Sequence, residues 1–247
     1  MYVDRYSLMN YTSRRANADC EIQALMLDEL HEFTEKHVTS IPAEAYTYSG
    51  ASNRGSRFNI AMAAHLNEHL NPVSVAKVEP AHIITASAQT AIHELLGLSL
   101  ADPGEGILVS RPVYGRFELD FGNTAGLEVV YADLDHDGGD PFAPEVVAAY
   151  QRALDASTAK VKALVIVNPH NPLGRTYPVQ TLRAIMAFCE KNQIHFISDE
   201  IYALSTYAED EKYKQGFNSV LAIDPTGLIS TDRLHVLYGM SKVSLES

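Results

Sequence analysis

The sequence has no tryptophan, only two cysteines among 247 residues, and 19 basic against 31 acidic side chains. Each shortage removes a class of protein. Cys20 and Cys189 cannot build the disulfide framework of a small secreted domain, and they show neither metal-ligand nor redox spacing, so a reducing compartment suits them. The net charge of −12 repels phosphate backbones, and no local basic stripe offsets it, which argues against nucleic acid as a partner. Apolar runs such as Gly106 to Val109 and Ala163 to Val167 are far short of the roughly 20 residues of a membrane helix. Met1 to Arg15 is polar and lacks the apolar centre of a signal peptide, so the expected location is the cytoplasm. With 14 glycines, 11 prolines and 46% hydrophobic residues, the chain is neither collagenous nor low in complexity, and it can bury a core.

What is present is an alternation of periods. Glu21 to Val38 carries Ile22, Leu25, Met26, Leu30 and Phe33 at helical spacing, and Arg57 to Leu70 reads as a second helix. A short apolar run, Ile83-Ile84-Thr85, reads as a strand and leads into a helix from Gln89 to Leu100. Further strands are predicted at Gly106 to Val109, Leu127 to Tyr131, Lys162 to Val167, Ile194 to Ser198 and Arg233 to Tyr238, with helices near Glu145 to Ala156 and Val179 to Lys191. This order predicts an α/β fold, a mostly parallel sheet wrapped by helices, whose ligands bind at the carboxyl ends of the strands.

The unusual residues follow the strands. After Lys162 to Val167 comes Asn168-Pro169-His170-Asn171-Pro172-Leu173-Gly174, which forces an extended, turning backbone and reads either as a stiff turn or as a platform for an amide side chain. After Ile194 to Ser198 comes Asp199-Glu200-Ile201-Tyr202. A carboxylate at the end of a buried strand is costly alone, so Asp199 implies a helix cap or a bound cation. After Arg233 to Tyr238 comes Gly239-Met240-Ser241-Lys242, where the lysine taken alone reads as a solvated residue near the chain end. Ser87-Ala88-Gln89, between a predicted strand and helix, reads either as a serine-capped turn or as a phosphate cradle of free N–H groups.

Taken together, N-P-x-N-P-x-G, D-E-x-Y and S-K in this order resemble the class I/II aminotransferases of the type I pyridoxal-phosphate fold, in the branch containing 1-aminocyclopropane-1-carboxylate synthase and its fungal relatives. The resemblance runs from about Ala18 to Lys242. It implies a three-layer α/β/α sandwich, the large domain of such enzymes, with pyridoxal 5'-phosphate as cofactor. Lys242 would form the Schiff base, with Ser241 beside it among the cofactor contacts. Asp199 would face the pyridinium nitrogen, and Asn171 and Tyr202 would bond the ring hydroxyl oxygen. Ser87, Ala88 and Gln89 would hold the phosphate, and Tyr114, in Arg111-Pro112-Val113-Tyr114, would stack on the ring. Tyr48 would reach the phosphate of a neighbouring subunit, which implies a homodimer.

The implied activity is amino transfer between amino and keto acids, in a biosynthetic setting by analogy with fungal relatives of this branch. The alternatives are a lyase outcome on the same scaffold, cyclopropane-forming or carbon-sulfur cleaving, and a non-catalytic remnant. Residues 1–40 are expected to form an N-terminal segment and helix, 41–242 an incomplete cofactor domain, and 243–247 a tail unlike the family, with the C-terminal small domain absent. A rival from another class is His65-Leu66-Asn67-Glu68-His69, which fits H-x-x-E-H and would suit a zinc hydrolase, against the plainer reading of a solvated helix face.

Overall fold

Strands that read as continuous apolar runs rather than alternating ones need cover on both faces, and the computed structural model provides it. It describes residues 27–37, 57–133, 139–206 and 216–239. The strands are β1 (Gly106–Arg111), β2 (Glu128–Asp133), β3 (Val161–Val167), β4 (His195–Asp199) and β5 (Leu234–Leu237), all parallel, in the spatial order β2-β1-β3-β4-β5. The helices are α1 (Leu27–His37), α2 (Arg57–His69), α3 (Ala88–Leu100), α4 (Phe117–Gly122), α5 (Val146–Ala156) and α6 (Val179–Asn192).

The period of two sorts each strand between two apolar layers. Leu108, Leu164, Ile166 and Phe196 face Tyr150 of α5 and Leu182, Ile185 and Met186 of α6. Ile107, Val109, Val165 and Ile197 face Phe117 and Phe121 of α4, with Ile92 and Leu96 of α3 packed against them. The architecture is the predicted three-layer α/β/α sandwich.

Two local readings change. Ile83-Ile84-Thr85 is not a strand: it is irregular chain after the turn Pro80–His82, and Ile84 is 72% exposed. A strand needs a neighbour for its backbone groups, and here the buried Asn59 of α2 takes the Ile83 carbonyl through Nδ2 at 3.0 Å. Helix α4 has no counterpart in the predicted order; it is short, and it rests on Phe117 and Phe121, one turn apart and buried. Of the predicted Glu21 to Val38 helix, residues 27–37 are described.

At the amino-terminal end of the sheet His195 Nδ1 lies 2.9 Å from His235 Nε2, so one ring must accept from the other. Burial, aided by His195, pushes His235 down to about 4, and burial with Arg233 and Lys162 lowers His195 as well. The folded pKa of His235 is below the ordinary 6.5, so the unfolded chain takes the proton first. Its contribution is full above about pH 6.5 and is lost as the pH falls toward 4. Thermal melts should therefore show a smaller drop in Tm from neutral pH to about pH 5 for His235→Gln than for the parent. An equal drop in both would remove this pair as a source of acid sensitivity.

Candidate active site

The order of the strands decides where a crevice opens. The chain turns from β1 to β2 on one side and then to β3 on the other, so the loops leaving the carboxyl ends of β1 and β3 diverge. A cleft of about 200 Å³ lies at this end, lined by Ala88, Gln89, His93, Tyr114, Asn171, Asp199 and Tyr202 together with Thr90, Asp120, Val167 and Ile201. Residues from separate predicted motifs thus share one wall.

The loop after β3 is both a stiff turn and a platform. Asn168 is fully buried; its Oδ1 accepts from the Tyr177 N–H at 3.1 Å and its Nδ2 donates to the Asn218 carbonyl at 3.1 Å. The His170 N–H donates to the Arg175 carbonyl, and the Gly174 N–H donates back to the His170 carbonyl, both at 2.8 Å. Gly174 has φ of +61°, a left-handed conformation that glycine adopts without penalty. So braced, the loop brings Asn171 Nδ2 to 3.4 Å from the Tyr202 hydroxyl, a long hydrogen bond. Tyr114 stands on the β1 side, its ring edge-on to Phe117 at 5.4 Å.

Asp199 ends β4 and is 4% exposed. Its Oδ1 accepts from Gln89 Nε2 at 2.6 Å and from the Ile201 N–H at 3.2 Å. Its Oδ2 lies 3.3 Å from His93 Nε2, within ion-pair reach although the N–H is not aligned for a hydrogen bond. His93 Nδ1 in turn lies 3.0 Å from Asp120 Oδ2. Burial by itself would lower the His93 pKa, but Asp199 and Asp120 outweigh it and the net direction is up. The sequence does not single out His93 or Asp120. The available signal was the position of His93, one helical turn beyond Gln89.

The start of α3 differs from both of its sequence readings in one respect each. Ser87 precedes the helix, but its side chain caps nothing, so the serine-cap reading falls. Ala88 has φ of +65°, which lets the chain enter the helix abruptly with its first N–H groups uncapped by Ser87. Gln89 sends its side chain to Asp199, so any role in holding a phosphate would fall to its backbone.

Tyr48, Ser241 and Lys242 lie outside the described residues. The described chain reaches Gly239, where a Cβ would meet Ile201 at 3.3 Å and Gln89 Oε1 at 3.6 Å, so the path toward Lys242 starts against the cleft wall. Glu200, fully buried, accepts through Oε1 from Ser198 Oγ at 2.9 Å and the Val220 N–H at 3.0 Å, and burial pushes it up to about 7. It ties the end of β4 to the segment before β5.

His65 and His69 do share one face of α2, with ring centroids 4.6 Å apart and planes tilted by 57°. His65 Nε2, however, engages the Tyr238 hydroxyl at 3.1 Å, and among the described residues no group of three or more metal-binding side chains forms. The helix face therefore has a structural use of its own.

Comparison with known proteins narrows the reading. Residues 49–244 match the family described as aminotransferase class I and II. The chain is 34% identical over 228 residues to a probable aminotransferase, tcpI, of Claviceps purpurea, covering 90% of this chain and 52% of that protein. It is 35% identical over 170 residues to 1-aminocyclopropane-1-carboxylate synthase 7 of Arabidopsis thaliana, covering 68% of this chain and 37% of that one. Among solved structures, an aspartate aminotransferase from Rhodobacter sphaeroides superposes with a TM-score of 0.64 at 20% identity, over 86% of this chain and 50% of that chain, a likeness of fold. The chain spans about half or less of the length of these curated relatives.

Proposed function

The chain belongs to the class I and II aminotransferase family, and from that premise we propose that it is a pyridoxal-phosphate-dependent aminotransferase exchanging amino and keto groups between small acids in a biosynthetic pathway. The observation that carries the reading is Asp199, a strand-end carboxylate buried in the cleft and partnered by His93. Two carboxylates and one imidazolium leave this buried cluster one positive charge short, and a protonated ring nitrogen supplies a charge of the required sign. The residues present therefore fit the cofactor. When bound, the cofactor supplies an electron sink that acidifies the Cα proton of an amino acid.

The residues divide that work by position. Asp199 holds the ring nitrogen protonated, while Asn171 and Tyr202, already paired with each other, offer hydrogen bonds to the ring hydroxyl oxygen. Tyr114 provides an aromatic face, and the N–H groups at the start of α3, around Ser87, Ala88 and Gln89, which the Ser87 side chain does not cap, would favour a phosphate. Lys242 would anchor the cofactor through Nζ, with Ser241 beside it, and its amine would be the general base for the Cα proton. We read residues 41–242 as the cofactor domain. Tyr48 would serve a second subunit of a homodimer, and the cytoplasm is the expected setting.

The 35% identity to a cyclopropane-forming synthase favours a second reading, a lyase that uses the same loss of the Cα proton to expel a side-chain group. The test is to add pyridoxal phosphate to the purified chain, record the absorbance spectrum, and then supply an amino acid with a keto acid. A visible band followed by amino transfer supports the first reading. Release of a side-chain fragment instead supports the second, and absence of any band overturns both.

A further inference from the structure

We propose that His93 is a positioning residue for the cofactor site: held between Asp120 and Asp199, it keeps Asp199 ionised and oriented before the cofactor arrives. The proposal rests on the cofactor reading above and adds a device to it.

The geometry carries the argument. Both ring nitrogens of His93 face carboxylate oxygens, Nδ1 hydrogen-bonded to Asp120 Oδ2 at 3.0 Å and Nε2 at ion-pair distance, 3.3 Å, from Asp199 Oδ2, so the positively charged, doubly protonated ring is the form that both acids favour. His93 is 1% exposed, Asp120 3% and Asp199 4%, which places all three where charges are screened little. Two aromatic rings also pack on His93: the ring centroids of Phe117 and Phe121 lie 5.3 Å and 5.2 Å from its own. On α3, Gln89 brings no charge; the hydroxyls of Tyr114 and Tyr202 are the other titratable groups in the cleft among the described residues, and Glu200, fully buried next to Asp199 in the chain and pushed up to about 7 by burial, is the further acid that feels the Asp199 charge. His93 is thus the only described cation between two buried acids.

The consequence follows from removing it. Without the imidazolium, Asp199 would stand buried near a second carboxylate, and both burial and like charge would favour its neutral form. A neutral acid offers no charge to a protonated ring nitrogen. His93 is therefore the counter-charge that Asp199 has in place before a cofactor arrives. The direction of the His93 pKa, raised by both acids, agrees with this.

The experiment uses the full chain. Dissociation constants for pyridoxal phosphate, and for its analogue with carbon in place of the ring nitrogen, are measured from about pH 6.5 to 9 on the parent and on His93→Gln. The variant-to-parent ratio for pyridoxal phosphate should be about tenfold or more at the acid end and approach one at the alkaline end, while the ratio for the analogue stays flat. A ratio that is equal for both compounds at every pH means a packing role only and overturns the proposal, as does a ratio of one throughout. A parent chain that binds neither compound overturns the cofactor reading and the proposal with it.

Nitrogen NMR of the cofactor-free parent gives a second readout that does not need the variant to fold well. His93 should carry both ring protons near neutral pH, and Asp120→Asn should lower the pH at which it loses one. A singly protonated His93 near neutral pH in the parent overturns the proposal even if the cofactor binds.

Discussion

Asp199→Asn is expected to lower amino transfer by roughly 10³-fold while leaving the fold intact, because it removes one preorganised charge without changing the shape of the side chain. That corresponds to about 4 kcal/mol of transition-state stabilisation. The amide oxygen of the substituted side chain could still accept from Gln89 Nε2 and the Ile201 N–H, the two contacts that now hold Asp199 Oδ1. The other side must change. An amide N–H2 would face His93 Nε2, so the ring would have to give up that proton and keep the one toward Asp120. The variant thus exchanges an ion pair for a neutral hydrogen bond and leaves the ring nitrogen of a bound cofactor without its counter-charge. The check is kcat/KM for transamination alongside a thermal melt. A loss of activity below tenfold would remove Asp199 from the role given to it, and a collapse of Tm would make it a structural residue.

The fold was legible where period and length agree. β3 reads as an unbroken apolar run because the layers of α4 and α6 cover both of its faces, and a strand of that kind announces itself in sequence. Ile83-Ile84-Thr85 has the same local character but not the same outcome, since a strand is defined by a partner that three residues do not specify. Asp199 was legible for a different reason. A carboxylate after Ile197 and Ser198 is too costly to be accidental, so its position alone demanded a partner. The partner itself was not legible. His93 sits on a helix among ordinary neighbours, and only the packing of α3 and α4 on the sheet brings it against two acids that are distant in the chain. Gln89 shows the same limit, since its place at a helix start suggested a phosphate contact and its side chain turned inward to Asp199.

Lys242→Ala is expected to have the largest effect, a loss of roughly 10⁴-fold or more, since it would remove the proposed covalent anchor and general base together. Gly239, three residues before, lies beside the cleft wall, where an added Cβ would press on Ile201 at 3.3 Å and reach ordinary contact with Gln89 Oε1 at 3.6 Å. Lys242→Arg should be nearly as inactive, because a guanidinium keeps the charge but neither forms a Schiff base nor gives up a proton near neutral pH. In both variants the visible band of the bound cofactor should disappear or shift to that of the free aldehyde, even where binding persists through Asp199, Asn171 and Tyr202. The sharper test is combination. If Lys242 and Asp199 serve one step, the first by moving the Cα proton and the second by holding the ring nitrogen charged, their losses cannot add. The double variant should then be little worse than Lys242→Ala alone. A loss near the product of the two single effects would mean that they act on separate steps, and the shared role in Cα proton removal would be abandoned.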